Sequence, residues 1–246
     1  MTGKLRFWCE YEPPTLATRL NDGDEAPAWV HTIEQWPTSP RLAGGTGAEC
    51  GEVGSRQNTD PWIWSPGFVW TICRHHVRGR LRPIVRDLSV GDLVLLGSVG
   101  GGRWLLDTVL VVSSDIRAPE APLVTRARHR GTLYANAVLD CLDDSSDEWR
   151  LIPGQPHPAG TEAFSFVPAL PLSVGQSSFE RPDLAGLFGA LRKADGDAPA
   201  VNAAQAATRC RSEAGVAVFW SRVVELVRGQ GLVLGTSFQF PVTPGT

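Results

Sequence analysis

Two apolar segments separated by consecutive glycines constrain the fold of this chain more than any other feature. Residues 92–98 (DLVLLGS) and 103–112 (RWLLDTVLVV) are rich in Leu and Val, and residues 100–102 between them are all glycine. Glycine readily adopts the positive φ angles that tight hairpin turns require. The sequence therefore predicts a buried β-hairpin at the centre of a β-rich domain.

Further strands are predicted where short runs of bulky apolar and aromatic residues end at turn-forming residues. Four segments have this pattern, residues 4–11, 67–74, 164–170 and 232–240. Two longer segments lack it. Residues 21–61 are rich in Gly, Pro, Asp and Thr, which predicts a long loop insertion with little regular structure. Residues 76–87 are basic and contain Pro83, which predicts a loop with a short turn.

Apolar residues at helical spacing predict two helices near the C-terminal end. In residues 183–193 the apolar positions recur with the spacing i, i+3, i+4, i+7. The second predicted helix covers residues 203–228 and is followed by Gly229 and Gly231, which favour its end. One of its faces carries Val216, Phe219, Trp220, Val223 and Val227.

These elements predict one α+β domain over residues 1–246. They lack the regular strand–helix–strand alternation of a doubly wound sheet. We expect a β-rich, small curved barrel with long loop insertions and C-terminal helices. Its core motif covers about residues 62–112, and residues 180–246 form a helix–strand tail.

The composition excludes several classes of protein. Hydrophobic residues make up 42% of the chain and charged residues 20%, unlike a disordered, collagenous or coiled-coil protein. No apolar run is long enough for a transmembrane helix, and residues 1–6 are not followed by the apolar segment of a signal peptide. The five cysteines are widely spread without a CxxC pair. We therefore expect reduced thiols, a cytoplasmic location and no membrane partner.

Positive charge is concentrated in the middle of the chain. Residues 66–130 contain ten Arg and five acidic residues, a local net charge of +5, whereas the whole chain carries −3. All Lys and Arg residues except Lys4 and Lys193 are arginine. The planar guanidinium of arginine binds phosphates and base edges better than the ammonium group of lysine does. The codon usage of a GC-rich genome would explain much of the preference for Arg, but not its clustering.

The most basic segment directly follows a predicted strand. Residues 73–83 read CRHHVRGRLRP and include Arg74, Arg78, Arg80 and Arg82. Arginines at this density can clamp phosphates or contact base edges. Three tryptophans that precede the segment could stack on bases: Trp62, Trp64 and Trp70. The competing interpretation is a solvated basic loop beside a tryptophan-containing core.

A second basic cluster lies at residues 126–130 (RARHR). In an extended segment, alternation would place Arg126, Arg128 and Arg130 on one side. That arrangement would suit contacts to a nucleic-acid backbone. A solvated loop explains the same residues equally well.

Cys73, His75 and Asp107 are the candidates for catalytic chemistry. Arg74 and His75 beside Cys73 could activate its thiol, although a buried structural thiol is the simpler interpretation. Asp107 interrupts an apolar segment, and a buried carboxylate costs free energy unless it is paired. We therefore expect Asp107 either to pair with an arginine or to act as an acid or base.

No metal site or cofactor is predicted. The adjacent His75 and His76 would point to opposite sides of an extended chain, and no second Cys/His pair has zinc-like spacing. The glycine-rich segments 44–47 and 100–102 lack the P-loop pattern, and the hydrolase, zincin and kinase signatures are absent. Asp92, after Gly91, is expected to cap a turn.

Several segments resemble the nucleotide-modification-associated domain family. They are residues 68–74 (FVWTICR), the Leu81-Arg82 pair, residues 90–97 (VGDLVLLG) and residues 104–109 (WLLDTV). The Gly-Asp turn into a strand is also similar to that of PUA, ASCH and EVE barrels. The resemblance implies a PUA-like barrel that binds modified bases or RNA, in association with DNA base modification. The matching positions are Thr71, Cys73, Arg74, Arg82, Gly91 and Asp92.

The sequence thus predicts a nucleic-acid or modified-nucleotide binding protein, with DNA as the favoured partner. In this hypothesis the arginines of residues 74–82 neutralise phosphates and the tryptophans stack on a base. One alternative is an enzyme that acts on a nucleotide or DNA base through Cys73, His75 or Asp107. The other is an interaction subunit that docks a partner through residues 203–228, although Phe219 and Trp220 are expected in the core.

Overall fold

The computed structural model describes twelve stretches of the chain. They are residues 30–34, 61–63, 67–71, 76–77, 80–81, 83–100, 103–113, 150–157, 163–169, 179–193, 207–212 and 214–236. The strands within them are β1 (Val30–Glu34), β2 (Val69–Trp70), β3 (His76–Val77), β4 (Arg80–Leu81), β5 (Leu93–Gly100), β6 (Arg103–Val111), β7 (Ile152–Pro153), β8 (Val167–Ala169), β9 (Leu191–Lys193), β10 (Ala207–Ser212) and β11 (Val233–Gly235). The helices are α1 (Pro83–Arg86), the 3-10 helix Ala185–Ala190 and α2 (Val216–Gly229).

The predicted central hairpin is confirmed as β5 and β6. The two strands pair antiparallel from Leu93 opposite Val111 to Gly100 opposite Arg103, with a register shift between Leu96 and Gly97. Leu and Val fill both faces of β6, and every residue from Leu106 onward in this strand is buried. A strand that is apolar on both faces must be covered on both faces, so this hairpin defines the core.

The hairpin is one end of a five-stranded mixed sheet with the order β6-β5-β1-β10-β9. β1 is parallel to β5 and antiparallel to β10. The loop predicted over residues 21–61 is wrong for residues 30–34, which form β1. The sequence VHTIE is short and the strands that pair with it are distant in sequence, so the local pattern does not indicate a strand. The remainder of that segment, and the strand predicted at 4–11, lie outside the described residues.

The C-terminal predictions need two corrections. The helix predicted over 203–228 begins only at Val216, and Ala207–Ser212 form strand β10, which pairs with β1 and β9. Gly215, at φ 85°, separates strand from helix. Residues 183–193 form the 3-10 helix followed by β9, since Gly186 and Gly189 are poor α-helix formers.

Within the described residues, the other predicted strands form short pairings. β8 and β11 fall within the segments predicted at 164–170 and 232–240, and they pair with each other antiparallel. Only β2 is described as a strand within 67–74, and it pairs with β7. Residues 76–87, predicted as a loop, contain β3, β4 and α1.

The second edge of β6 is hydrogen-bonded as well. The backbones of Val109 and Phe166 exchange two hydrogen bonds of 2.9 Å, and the Leu106 amide donates to the Pro182 carbonyl at 2.8 Å. Three short segments contact this edge: residues 154–155, residue 166 and residues 182–184. Strand β6 therefore links the five-stranded sheet to the β8–β11 pair.

Helix α2 covers the core with the face that the sequence predicts. Phe219, Trp220, Val223 and Val227 are buried, and the Trp220 indole donates a hydrogen bond to the Phe164 carbonyl at 3.1 Å. Each such side chain contributes about 1.5–3 kcal/mol when it is removed from water. These contacts place Phe219 and Trp220 in the core.

The described strands do not close into a barrel, so the curved barrel of the PUA-like expectation stays a prediction. Within the same described residues, none of the helices has the length and apolar character needed to cross a lipid bilayer.

Replacing Gly97 with Ala should destabilise the hairpin. A Cβ atom on Gly97 would lie 2.6 Å from the Trp104 ring and closer still to the Leu105 carbonyl oxygen. We expect Gly97→Ala to lower the free energy of unfolding by about 1–3 kcal/mol, as overpacking does. Urea denaturation measures this change. The control is Gly186→Ala, whose Cβ meets no atom within 4 Å; equal stability of the two variants would contradict the described packing.

Candidate functional site

Two short strands within the arginine-rich segment pair as a β-hairpin. β3 and β4 pair antiparallel, with His76 opposite Leu81 and Val77 opposite Arg80. Residues 78 and 79, Arg and Gly, connect the paired positions. Of the predicted phosphate-binding arginines, Arg80 therefore lies on a strand of this hairpin. We call residues 74–82 the arginine-rich hairpin segment.

The end of this segment is attached to the core through α1. Val85 and Leu88 are buried directly after the hairpin. The Arg150 guanidinium donates hydrogen bonds to the carbonyl oxygens of Val85 (2.8 Å) and Arg86 (2.9 Å), which satisfies carbonyls that a helix end leaves unpaired. Partial burial lowers the pKa of Arg150. The buried residues Val85 and Leu88 thus follow the basic hairpin within a few residues.

Residues that precede the basic segment are buried. Trp70 and Thr71 are fully buried, and Trp62 is 5% exposed. The backbones of Trp62 and Val69 exchange hydrogen bonds of 2.7 and 3.0 Å. A buried indole presents no open face to a base, and in this conformation Trp62 and Trp70 belong to the buried core. Trp64 lies outside the described residues.

Asp107 is buried and charge-paired. The Thr108 hydroxyl donates a 2.8 Å hydrogen bond to Asp107 Oδ1, and Arg181 Nη1 lies 3.8 Å from Oδ2. Its side chain is 3% exposed and that of Arg181 is 11% exposed. The arrangement matches the structural interpretation of Asp107, with Arg181 rather than a central arginine as partner. A catalytic role for Asp107 stays a prediction.

The segment that contains Arg181 also forms hydrogen bonds and ion pairs with the start of β6. Asp183 Oδ1 accepts hydrogen bonds of 3.0 Å from the amides of Trp104 and Ala185. Arg103 forms ion pairs with Glu180 and Asp183, and the hydrogen bond that its guanidinium donates to Glu180 is the main cause that raises the pKa of Arg103. Residues 180–183 therefore bind to β6 through ion pairs and hydrogen bonds, and we call them the polar strap.

Asp92 has the turn-capping role that the sequence predicts. Its Oδ2 accepts a 3.0 Å hydrogen bond from the Ser89 amide. Gly91 adopts a φ of 84°, and its amide donates to the Val112 carbonyl at 2.9 Å. This turn aligns the start of β5 with the end of β6.

The remaining predicted site residues lie outside the described part of the chain. They are Cys73, His75, Trp64, Arg74, Arg78, Arg82, Arg126 and Arg128. Their roles stay predictions. In the part that the structure does describe, no three His, Cys, Asp or Glu side chains come together as a metal site would require.

A cavity of about 270 Å³ lies beside the last turn of α2, and no local sequence signal predicts it. Its lining residues are His157, Phe164, Arg228, Gly231, Leu232, Val233, Leu234 and Thr236. The His157 ring packs edge-on against Phe164 with a centroid distance of 4.7 Å. Burial lowers the pKa of His157 below its usual 6.5. These residues come from separate segments, and no motif joins them. We call this space the α2–β11 cavity.

Comparisons with known proteins identify no similar protein. No protein-family profile matches the chain, and neither a curated protein nor a solved structure matches it. The family resemblance therefore depends on the residues quoted for it in the sequence.

Removing the Arg181 charge should destabilise the protein through Asp107. Arg181→Leu leaves a buried carboxylate without this cation, and breaking a buried ion pair costs about 3–5 kcal/mol. We expect a loss of about 3 kcal/mol in urea denaturation. The double variant Asp107→Asn/Arg181→Leu should recover part of that loss, because it also removes the buried charge. Additive effects of the two substitutions would show that the pair is not coupled.

Proposed function

We propose that this protein binds nucleic acid or a modified nucleotide and that the arginine-rich hairpin segment contacts the phosphates. The observation that carries the proposal is the pairing of β3 with β4 inside the most basic part of the chain. Arg80 lies on β4, and the sequence places Arg74, Arg78 and Arg82 within six residues of it. Helix α1 begins two residues after β4, and its Val85 is buried.

A ribbon of this kind suits nucleic acid for two physical reasons. A two-stranded β-ribbon fits the major groove of B-DNA, and several DNA-binding proteins use one there. Each arginine offers a planar fork of donors that matches a phosphate or a guanine edge. The surplus of negative charge outside residues 66–130 would disfavour contact of other surfaces with the same polyanion.

The choice of DNA, and of a modified base as the feature recognised, rests on the family resemblance. In this proposal the matching positions Thr71, Cys73, Arg74 and Arg82 belong to the same stretch as the hairpin. The protein would act as a reader that leaves its ligand unchanged. Chemistry at Asp107 has less support, because its carboxylate is buried and lies beside Arg181 and Thr108.

Removing two arginines of the hairpin should weaken nucleic-acid binding and its salt dependence. We expect Arg78→Ala/Arg80→Ala to lower affinity for a labelled DNA duplex. If each arginine neutralises one phosphate, the slope of log K against log salt becomes shallower by about 1.8. Fluorescence anisotropy at several salt concentrations measures both quantities, with plain and base-modified DNA and RNA as ligands.

The control for this experiment is Arg222→Glu. Arg222 is an exposed residue of α2, and its replacement changes the net charge by the same amount as the double alanine variant. Binding by Arg222→Glu should keep the wild-type salt slope. Wild-type protein that binds none of the ligands, or a double variant that binds like the wild type, would overturn the proposal.

A further inference from the structure

We infer that the α2–β11 cavity is a second binding site, which holds a single nucleobase while Arg228 contacts the attached phosphate. The inference deepens the proposed function, since it names the nucleotide unit that the protein would take up. It is based on different residues from the hairpin, so each can fail without the other.

The cavity is lined largely by apolar side chains that pack in the hydrophobic core. Phe164 is 5% exposed, and Leu232 and Leu234 are also buried. Phe164 packs edge-on against Trp220 with a centroid distance of 5.1 Å, and the Trp220 indole is hydrogen-bonded to the Phe164 carbonyl. Apolar and aromatic walls with few polar groups are typical of small-ligand sites. A flat aromatic ring is the ligand that such walls favour.

The ionisable groups around the cavity favour an anion. Burial lowers the pKa of His157, which disfavours the charged form of its ring. Arg228 is exposed in the last turn of α2 and offers the forked donors that bind phosphate. None of the described lining residues is acidic. The lining therefore favours an anionic ligand over a cationic one.

The size of the cavity limits the ligand to one nucleotide unit. Small-molecule sites usually measure about 300–1,000 Å³, and this cavity, at about 270 Å³, lies just below that range. One planar ring system fits such a volume, whereas a dinucleotide cofactor would not. Because Arg228 is exposed, the phosphate would remain near solvent while the base enters the cavity.

Titration calorimetry of the full chain with mononucleotides tests this inference. The ligands are the four deoxynucleoside 5′-monophosphates, the matching nucleosides, and inorganic phosphate. We expect at least one monophosphate to bind, and to bind more tightly than its nucleoside. Arg228→Gln should weaken that binding about tenfold or more, the effect of losing a hydrogen bond to a charged group. Arg222→Gln, an exposed substitution on the same helix away from the cavity lining, should change it less than about twofold.

A second variant tests the cavity itself. Thr236→Trp would place a large ring in the space and should abolish mononucleotide binding. Circular dichroism and thermal unfolding verify that each variant is folded. If Thr236→Trp does not fold, the inference is tested by comparing mononucleotide affinity between Arg228→Gln and Arg222→Gln. Both residues are exposed, so both variants should fold.

Oligonucleotide competition distinguishes a free mononucleotide from a nucleotide exposed on a single strand. If a strand supplies the base, a short single-stranded DNA will displace the bound monophosphate, and Arg228→Gln will weaken both ligands. If only free nucleotides enter, the strand will not compete. The hairpin variant Arg78→Ala/Arg80→Ala should keep mononucleotide binding in either case.

Two results would overturn the inference. One is the absence of mononucleotide binding to the wild type at millimolar ligand, and the other is equal binding by Arg228→Gln and Arg222→Gln. Neither result touches the hairpin proposal, whose readout is salt-dependent binding of long nucleic acid. Conversely, loss of the hairpin proposal would leave mononucleotide binding intact.

Discussion

The structure depends on strand β6, which is hydrogen-bonded along both edges and buried on both faces from Leu106 to Val111. β5 occupies one edge, and residues 154–155, 166 and 182–184 occupy the other. Because this part of the strand does not meet water, its polar residues Asp107 and Thr108 have to be satisfied from within the protein. Arg181 supplies the counter-charge and also fastens the polar strap of residues 180–183 onto the strand.

Both candidate sites are attached to this strand. Towards the hairpin, the Gly91–Asp92 turn joins the end of β6 to α1, and α1 begins just after β4. Towards the cavity, Val109 pairs with Phe166, β8 continues from there, and β8 pairs with β11. A rigid centre with functional groups on its peripheral segments is a common arrangement for binding proteins, because the scaffold limits the entropy lost when a ligand binds.

The sequence predicts those parts of the fold whose signal is local. The glycine-separated apolar pair identifies β5 and β6, the Gly91-Asp92 turn identifies the cap, and the apolar spacing after Val216 identifies the buried face of α2. Strands β1 and β10 were missed because each is held by partners distant in sequence, and short strands gain their stability from that pairing. The Arg181 pairing and the α2–β11 cavity were missed for the same reason: their residues meet only after folding.

If nucleic acid contacts the arginine-rich hairpin segment, the backbone of that segment becomes less accessible on binding. Hydrogen–deuterium exchange of the full chain, with and without a DNA duplex at low salt, measures this change. We expect slower exchange in residues 74–82 on binding, while β5 and β6 exchange slowly in both states because they form the core. If exchange in residues 74–82 is unchanged and protection appears on another segment, such as 126–130, nucleic acid contacts a different surface.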